Sequence, residues 1–325
     1  MLKKIKFWLE CSRWYALPMT FFSWLIIFCY GLNMGGNVKN GILALVGISF
    51  AHLATNLFDD FCDYHKLTRI VDFGNVILPN TQRGKCRYLI ENQTTLNEVL
   101  SVVIFYCLIA FLIGIYFYLT CGTPVLIFMF AGISIVLGYS FFSYIRLSEL
   151  AVAAAFGPLM FFGTFFVMTN KISIEPLILS VPSMLFTVNL IYTDTFLDKE
   201  IDKKEKKRTL VNLFSTDNKA IFFQKCLIAF GYISVLLLPV FDITDWEVLF
   251  VYLTIPLAID LVKSLCEYAK DNTFIPKKKW YHFPFEEWKD IAENRSQVFM
   301  FRMYQARNLM IYISVIITLC LLFCY

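Results

Sequence analysis

The amino-acid sequence predicts an all-α integral membrane protein, a bundle of about nine transmembrane helices around a central cavity that opens at the cytoplasmic side. Two observations lead to this class. Of the 325 residues, 58% are hydrophobic and only 17% are charged. Apolar runs of about 20 residues, the length that crosses a bilayer, recur along nearly the whole chain. Because little sequence is left outside these runs, we expect a single transmembrane domain over residues 1–325.

The apolar runs define the predicted helices in order. They lie near residues 15–33, 41–58, 97–119, 124–143, 148–168, 175–197, 220–241, 246–266 and 307–325. A basic stretch precedes the first run and resembles the start of a secretion signal, but no small-residue cleavage site follows and the run is long enough to span. We therefore expect an uncleaved first helix with an amphipathic lead-in.

The distribution of lysine and arginine predicts which side each loop faces. With the N-terminus in the cytoplasm, every one of the 29 basic residues except Lys39 and Lys171 falls in or beside a cytoplasmic segment. Cytoplasmic loops of membrane proteins carry such an excess. We expect the cytoplasmic membrane of a prokaryote. The net charge of +4 then reflects topology and anionic lipid headgroups and requires no nucleic-acid partner.

The remaining sequence has one long loop and no zinc or disulfide pattern. Many of the ten cysteines lie inside apolar runs, and the three histidines, His52, His65 and His282, are scattered without ligand spacing. His65 lies beside an acidic stretch, where a solvated loop position is the simpler interpretation. The loop near residues 267–306 is rich in aromatic residues and lysine, which predicts an amphipathic segment on the cytoplasmic surface.

The second apolar run ends in an unusual acidic stretch, "NLFDDFCDYHKLTR", residues 56–69. Charged groups near membrane depth are costly and mark functional sites. On a helix, Asn56, Asp60 and Asp63 share one face because they are three or four residues apart. Asp59 lies about a quarter-turn away.

A second acidic cluster ends the sixth run, in "NLIYTDTFLDKEIDKKEKKRTL", residues 189–210. Asp194, Asp198 and Asp202 recur every four residues and form one stripe on a helix. A single cluster of this kind can be a solvated helix boundary beside positive-inside lysines. Two clusters on the same predicted side, each followed by basic residues, favour a shared site.

Clustered carboxylates repel one another in a closed cavity unless positive charge lies between them. Mg²⁺ prefers such oxygen ligands, typically takes one or two carboxylates per ion and shares its other positions with substrate phosphates. Lysine and arginine then bind the remaining phosphate oxygens. The two clusters together predict a diphosphate site at a membrane surface, with a lipid tail among the helices.

The two acidic stretches resemble the paired aspartate-rich motifs of the UbiA superfamily of intramembrane prenyltransferases. Asn56, Asp60 and Asp63 match the first motif, Asn-x-x-x-Asp-x-x-Asp. Asp198 and Asp202 match the second, and "KRTL" at 207–210 follows at the expected distance. The likeness runs from about residue 11 to 325. As a departure, Leu67 and Arg69 stand where a further aspartate is common, and whether Asp59 compensates is a hypothesis.

Other stretches resemble the same family in order. "CSRWYALPMTFF" is similar to its entry to the first helix, and "CRYLIENQTTLNE" to its Arg-x-x-x-x-Gly segment, with Arg87 matching and Asn92 replacing glycine. "FMFRMYQARNLM" is similar to the lead-in to the last helix. Residues 138–167 resemble the 1,4-dihydroxy-2-naphthoate prenyltransferase branch, through Tyr139, Glu149, Phe156 and Gly157.

The resemblance implies Mg²⁺-dependent transfer of a polyprenyl chain from a prenyl diphosphate to an aromatic acceptor at the surface of the lipid bilayer. The favoured acceptor is 1,4-dihydroxy-2-naphthoate, in menaquinone biosynthesis. The implied metal ligands are Asn56, Asp59, Asp60, Asp63, Asp194, Asp198 and Asp202. Asn56, Arg87, Lys207 and Arg208 are expected to bind the diphosphate. Asp60, Asp63, Asp198, Asp202 and Tyr139 are the expected catalytic residues, Tyr139 and Phe156 are candidates to face the allylic cation, and Glu149 is one candidate general base.

Several alternatives stay open at this stage. The acceptor could be 4-hydroxybenzoate, homogentisate or a specialised metabolite. A secondary transporter is a remote alternative, because transporters carry their acids deep in broken helices whereas these lie at helix ends. "DDFCD" also resembles a motif of soluble prenyl-chain synthases, but the hydropathy excludes a soluble fold. The dense aspartate pattern of CDP-alcohol phosphotransferases is absent, and a scaffold protein would not need both clusters.

Overall fold

A computed structural model describes residues 2–72, 86–204, 206–284, 298 and 300–323. Within these ranges the chain forms helices and loops and no strand. Nine of the described helical segments are long and apolar enough to cross a membrane. They are Trp14–Asn33, Val38–Tyr64, Leu96–Cys121, Val125–Phe142, Ser148–Thr169, Glu175–Glu200, Asp217–Val240, Trp246–Lys270 and Met300–Phe323. The predicted all-α, nine-span membrane fold is confirmed.

We number the helices along the chain. They are α1 Leu2–Cys11, α2 Leu17–Asn33, α3 Val38–Asp72, α4 Arg87–Ile90, α5 Leu96–Cys121, α6 Val125–Phe142, α7 Ser148–Ala154, α8 Met160–Thr169, α9 Glu175–Lys204, α10 Asp217–Val235, α11 Leu237–Val240, α12 Ile255–Lys270 and α13 Met300–Phe323. A π-helical turn, Ala155–Leu159, joins α7 to α8, and a 3₁₀ segment, Trp246–Thr254, leads into α12.

Helix α1 is the amphipathic lead-in that the sequence predicts. Its lysines at positions 3, 4 and 6 are exposed, whereas Trp8 and Cys11 are buried. These two side chains join the hydrophobic cluster that packs α3 against α5. The segment therefore lies against the bundle before the first span begins.

Three helices extend seven residues or more beyond the hydropathy prediction. Helix α3 continues to Asp72, well past residue 58, so the first acidic motif is part of the helix itself. Helix α9 continues to Lys204, past the predicted end at 197, so the second acidic cluster also lies within a helix. Helix α13 begins at Met300, seven residues before the predicted start at 307. The polar residues at its beginning lower the local hydropathy, but the bundle buries them. Arg302 is fully buried and donates to the carbonyls of Val298 at 3.0 Å and Phe274 at 2.8 Å.

The predicted fifth span is interrupted. Pro158 lies in the π-helical turn and has no N–H for the helical hydrogen-bond ladder. Gly157 has φ −105° and ψ −112°, outside the helical region. A Cβ at Gly157 would lie within 3.0 Å of Met184 on α9. The turn therefore lets α7 and α8 change direction while packing closely on α9.

Three hydrophobic clusters surround the centre of the bundle. The largest joins α2, α9, α10, α12 and α13, and the second joins α1, α3 and α5. A smaller one, Ala44, Phe117, Val125, Phe166 and Val167, joins the ends of α3, α5, α6 and α8 that lie away from the acidic motifs. One buried polar group bonds to neighbours on another helix, as the apolar surroundings favour: Gln224 Nε2 donates to Asn189 Oδ1 at 3.0 Å and to Thr193 Oγ1 at 2.8 Å.

The segment predicted as one loop, 267–306, is divided between three elements. Residues 267–270 complete α12 and residues 300–306 begin α13. Residues 271–284 form a loop with one 3₁₀ turn, Trp280–His282. Asn308 of α13 donates to the carbonyls of His282 at 2.6 Å and Pro284 at 2.8 Å, so this loop is held against the bundle. The rest of the predicted amphipathic segment, 285–297 and 299, lies outside the described residues.

Candidate active site

The two acidic motifs, far apart in sequence, line one cavity. Its volume is about 1540 Å³, and its wall is formed by α2, α3, α5, α6, α8, α9 and α13 with their connecting segments. The first motif reaches it from α3 and the second from α9. Of the residues that the sequence singles out, those lining the cavity are Asn56, Asp59, Arg87, Tyr139, Phe156, Asp194, Asp198, Asp202 and Lys207. The end of the cavity at these motifs is polar, and its remainder is lined mainly by apolar side chains of α3, α5, α6 and α8.

Asp60 lies behind the cavity wall. Its side chain is completely buried and forms an ion pair with Arg13. Its Oδ2 accepts hydrogen bonds from the hydroxyl of Tyr88 at 3.0 Å and from the backbone N–H of Cys86 at 3.1 Å. Burial lowers the pKa of Arg13, but the charge of Asp60 outweighs it and holds that pKa well above its ordinary value. Asp60 thus ties α3 to the segment before α2 and to α4.

Asp63 also carries a basic partner. It is 1% exposed, and its Oδ2 accepts from the ammonium group of Lys207 at 2.7 Å. The hydroxyl of Tyr144 donates to Oδ1 at 3.4 Å. Lys207 belongs to the "KRTL" segment after α9, and its backbone N–H donates to the carbonyl of Asp202 at 2.7 Å. This pair therefore connects the first acidic motif to the second.

Asn56 and Asp59 are the first-motif residues that line the cavity. Asn56 Nδ2 donates to the carbonyl of Ser12 at 3.0 Å. Asp59 Oδ1 accepts from the hydroxyl of Ser140 on α6 at 3.0 Å. Asp59 stands where asparagine is usual in the resembled motif, and it brings a carboxylate to the cavity that Asp60 does not.

The second motif forms the predicted stripe along α9. Asp194, Asp198 and Asp202 all line the cavity, each about 6 Å further along the helix axis than the last. The neighbouring Lys199 points elsewhere and pairs with Asp217 at the start of α10. The helical period therefore places the three aspartates on the cavity side of α9 and the Lys199–Asp217 pair on another side.

Glu149 and Arg208, two of the predicted functional residues, anchor the "KRTL" segment. Glu149 is 1% exposed and is not among the residues that line the cavity. Its Oε1 accepts from the backbone N–H of Leu210 at 2.8 Å, and its Oε2 accepts from Ser148 at 2.8 Å. The backbone N–H of Arg208 donates to the carbonyl of Ser143 at 2.7 Å, while its side chain is exposed outside the cavity. The structure therefore does not bring either side chain to the substrate position.

Arg87 reaches the cavity from α4. Its side chain is exposed and pairs with Glu91 at 2.6 Å. Asn92, which stands where the resembled motif has glycine, has φ 53°. Asparagine tolerates this left-handed conformation better than other residues with a side chain, so the replacement preserves the turn after α4.

Three cavity-lining residues were not predicted. Arg13, in the quoted entry segment, could have been inferred from that resemblance as a partner for the acids. Arg307 of α13 was not singled out, and it stacks over the ring of Tyr304. His52 lies one helical turn before Asn56, and its ring packs edge-on against Phe156 at 5.6 Å between centroids. Its i, i+4 spacing from the first motif was the signal that could have identified it.

The donor set can be tested against Mg²⁺. Among the described residues, no three histidine, cysteine, aspartate or glutamate side chains lie close enough together to hold a metal ion by themselves. Carboxylates from α3 and α9 nevertheless line the same cavity as Asn56 and Lys207. Mg²⁺ takes only one or two carboxylates and shares phosphate oxygens. The residues present therefore fit an ion that is bound together with a phosphate ligand.

Known proteins are similar to this chain in sequence and in fold. The 1,4-dihydroxy-2-naphthoate octaprenyltransferase of Bacillus subtilis (strain 168) is 22% identical over 243 residues, which cover 71% of this chain and 73% of that protein. A UbiA homolog from Aeropyrum pernix K1, in its apo form, superposes with a TM-score of 0.58 at 13% identity over 92% of this chain and 98% of the homolog. A UbiA homolog from Archaeoglobus fulgidus bound to GPP and Mg²⁺ gives a TM-score of 0.56 at 14% identity over 93% and 99%.

The family profile matches most of the chain. The UbiA prenyltransferase family aligns with residues 16–283, a range that includes both acidic motifs, the π-helical turn and the "KRTL" segment. The two solved structures, at under 15% identity, support the shared fold. This multi-pass membrane protein therefore belongs to the UbiA prenyltransferase family.

Proposed function

We propose that this membrane prenyltransferase transfers a polyprenyl chain from a prenyl diphosphate to an aromatic acceptor, in a reaction that depends on Mg²⁺. The observation that carries the proposal is the division of the cavity: carboxylates and basic groups line one end, and apolar side chains line the rest. A diphosphate headgroup suits the first part and a hydrocarbon chain the second. The solved A. fulgidus homolog is bound to GPP and Mg²⁺, which supports a prenyl diphosphate and Mg²⁺ as ligands of this fold.

The residues that would hold Mg²⁺ are the oxygen donors of the two motifs. They are Asn56, Asp59, Asp60 and Asp63 on α3, and Asp194, Asp198 and Asp202 on α9. For Asp60 and Asp63, which are paired with bases in this structure, the proposal requires Arg13 and Lys207 to exchange carboxylate for phosphate oxygens. When bound, Mg²⁺ stabilises the negative charge of the departing diphosphate.

Other side chains that line the cavity would bind the diphosphate and stabilise the allylic cation. Lys207 and Arg87 line the polar end and would donate hydrogen bonds to phosphate oxygens. Tyr139 and Phe156 line the cavity beyond that end, where an aromatic face can stabilise the allylic cation. The apolar remainder would exclude water, so the cation would react with the acceptor ring and not with water.

We propose 1,4-dihydroxy-2-naphthoate as the acceptor, which would make this an enzyme of menaquinone biosynthesis. The support is twofold: residues 138–167 resemble that branch of the family, and the B. subtilis relative carries that activity in its name. 4-Hydroxybenzoate and homogentisate are the alternatives within the same chemistry. The transporter alternative is less favoured because the acids lie on the continuous helices α3 and α9, whereas transporters carry their acids in broken helices.

The decisive experiment combines three acceptors with one cavity variant. Purified protein in lipid would be incubated with Mg²⁺, radiolabelled geranylgeranyl diphosphate and each acceptor in turn. We expect a prenylated naphthoate, no product after chelation with EDTA, and recovery on adding Mg²⁺. Asp198→Ala should abolish the product, because Asp198 faces the cavity. Asp245→Ala, an exposed carboxylate outside the cavity, is the matched control and should keep full activity.

The outcomes separate the parts of the proposal. A product formed only with another acceptor would overturn the naphthoate assignment and leave the transferase chemistry intact. Turnover that survives both chelation and Asp198→Ala would overturn the metal site. No transfer to any acceptor by folded protein would overturn the aromatic prenyl transfer itself.

A further inference from the structure

His52 is a histidine inside the cavity that no motif accounts for. It lines the cavity on the same helix face as Asn56 and lies about 6 Å further along α3 from the acidic end. This depth is beyond the proposed diphosphate site and level with Phe156, whose ring packs against the imidazole. A side chain at this level would meet the reacting carbons and the acceptor, rather than the phosphates.

Among the described residues, one ring nitrogen of His52 has a hydrogen-bond partner and the other has none. His52 Nδ1 is 2.7 Å from the hydroxyl oxygen of Thr20 on α2, a side chain that is itself completely buried. In the part of the chain that the structure describes, Nε2 forms no hydrogen bond. When Nδ1 donates its proton to Thr20, Nε2 carries a free lone pair in the cavity. The contact with Thr20 thus fixes the orientation of the imidazole ring, as a third residue fixes the general base beside a catalytic nucleophile.

The surroundings favour a neutral imidazole that takes up a proton only during the reaction. Its neighbours on the cavity wall include Met19, Ile48 and the ring of Phe156. Arg13 lines the same cavity, so a lasting second positive charge on the imidazole is unfavourable. Asp59 and Asp194 are the first cavity-lining acids along α3 and α9, and the proposed function assigns both to Mg²⁺, so neither is the proton acceptor.

We propose that His52 is the general base of the reaction, and that its Nε2 accepts the proton of the acceptor's aromatic hydroxyl. The proposal rests on the proposed transfer to an aromatic acceptor, and it adds the residue that activates that acceptor. Removing the hydroxyl proton raises the electron density of the ring carbon that attacks the allylic cation. General bases of this kind contribute about 10²–10⁴ in rate.

When the attacking ring carbon of the acceptor bears a hydrogen, the atoms and charges of the step balance as follows. The allylic C–O bond breaks and its electron pair leaves with the diphosphate. The acceptor O–H proton moves to Nε2, and the ring π electrons form the new C–C bond, which gives a dienone. The hydrogen of that ring carbon then moves to the dienone oxygen and restores the phenol. The proton on His52 leaves with the diphosphate, so one proton is released for each turnover.

The test is a pH–rate profile of His52→Gln with acceptors of graded acidity. Glutamine keeps a polar group near Thr20 but does not accept a proton. We expect turnover to fall by about 10²-fold or more, with a smaller loss for a ring-fluorinated acceptor whose hydroxyl is already more acidic. The fall of the wild-type rate at low pH should vanish. Stabilisation of the variant by Mg²⁺ and the prenyl donor should match wild type, because His52 lies outside the diphosphate site.

Two further variants keep the test conclusive. His282→Gln makes the same substitution at a histidine outside the cavity and should keep the wild-type pH profile. His52→Ala should regain activity when imidazole is added, because the cavity then has room for the missing base. If His52→Gln lowered turnover equally for all acceptors and left the pH profile unchanged, the proposal would be overturned and His52 would be a packing residue. A wild-type protein that forms diphosphate but no prenylated aromatic product would instead overturn the proposed function, and the base with it.

Discussion

Two buried carboxylates of the first acidic motif form ion pairs near the polar end of the cavity. Asp60 is bound by Arg13 and Asp63 by Lys207, and the two carboxylates are 0% and 1% exposed. Removing an ion from water costs several kcal/mol, and a partner repays that cost only with good geometry and further hydrogen bonds. Asp60 has those further bonds from Tyr88 and Cys86. The pairs therefore hold the helices together around the cavity when no substrate is bound.

Asp60 and Asp198 should differ in what they contribute. Asp60→Asn leaves Arg13 without its counter-charge, so we expect a loss of about 3 kcal/mol in stability together with lost activity. Asp198→Asn, at the cavity surface, should lose activity with little change in stability. Thermal unfolding of both variants in the same detergent measures the difference. The double variant Arg13→Gln with Asp60→Asn should recover part of the stability, and equal melting temperatures for all three would contradict the ion-pair argument.

The π-helical turn between α7 and α8 is an element whose shape depends on one glycine. Gly157 has non-helical dihedral angles and lies against Met184 of α9, with Met184 Cβ 3.0 Å from where its own Cβ would be. The neighbouring Phe156 lines the cavity and packs against His52. The turn thus connects close helix packing to the position of two cavity-lining side chains.

Gly157→Ala should destabilise the protein by about 1–3 kcal/mol, the usual cost of adding a methylene to a packed contact. Activity should fall as well, because Phe156 shifts with the turn. Gly132→Ala is the control for stability: outside its own helix backbone and chain neighbours, no described atom lies within 4 Å of the added Cβ, so it should not unfold below the wild-type temperature. Melting temperatures of the two variants, and turnover of Gly157→Ala against wild type, give the comparison. If Gly157→Ala were as stable and active as wild type, Met184 would move aside with no change in the free energy of unfolding.

Glu149 is one of the buried carboxylates that hold the "KRTL" segment. Glu149→Ala should leave the N–H of Leu210 without its acceptor and cost about 1–3 kcal/mol. The segment carries Lys207, so we expect the KM for the prenyl donor to rise more than the KM for the acceptor. The pH dependence of turnover should stay as in wild type. If the fall of turnover at low pH disappeared in this variant, Glu149 would instead be the general base. Initial rates with each substrate varied in turn give both measurements.

At the scale of the whole molecule, one cavity crosses much of the bundle. Its volume of about 1540 Å³ exceeds the roughly 300–1,000 Å³ that is usual for small-molecule sites. Its lining runs along α6 from Ser143 near the acidic motifs to Val125 at the other end of that helix, about 27 Å by the helical rise. This is close to the thickness of the hydrocarbon core, so a long hydrocarbon chain can lie within the protein while its head meets the acids.

The orientation in the membrane that the lysine and arginine distribution predicts can be tested without variants. If the acidic motifs face the cytoplasm, Lys39 and Lys171 are the lysines on the outer surface, and both are exposed. A membrane-impermeant amine reagent on intact cells should modify these two and spare Lys203 and Lys204. Permeabilised cells should add the latter pair. Mass spectrometry of the labelled peptides measures this, and labelling of Lys203 from outside would reverse the orientation.

The prediction from sequence was strongest for features that are local along the chain. Hydropathy found nine spans because each is a continuous apolar run, and spacing of three and four grouped the acids on helix faces. It failed where packing opposes local polarity. Helix α13 begins at Met300 although Arg302, Gln305 and Arg307 are polar, because Arg302 bonds to backbone carbonyls inside the bundle.

The sequence by itself determined the fold class, the family likeness and the two acidic motifs, because these depend on composition and spacing within single helices. Tertiary structure alone decided which acids face the cavity. Asp60 meets Arg13, 47 residues away, and Asp63 meets Lys207, 144 residues away, so both turn into the wall while Asp59 and the stripe on α9 line the cavity. It also brought His52 beside Thr20 and Phe156. Such contacts join different helices, and no local pattern specifies how the helices pack.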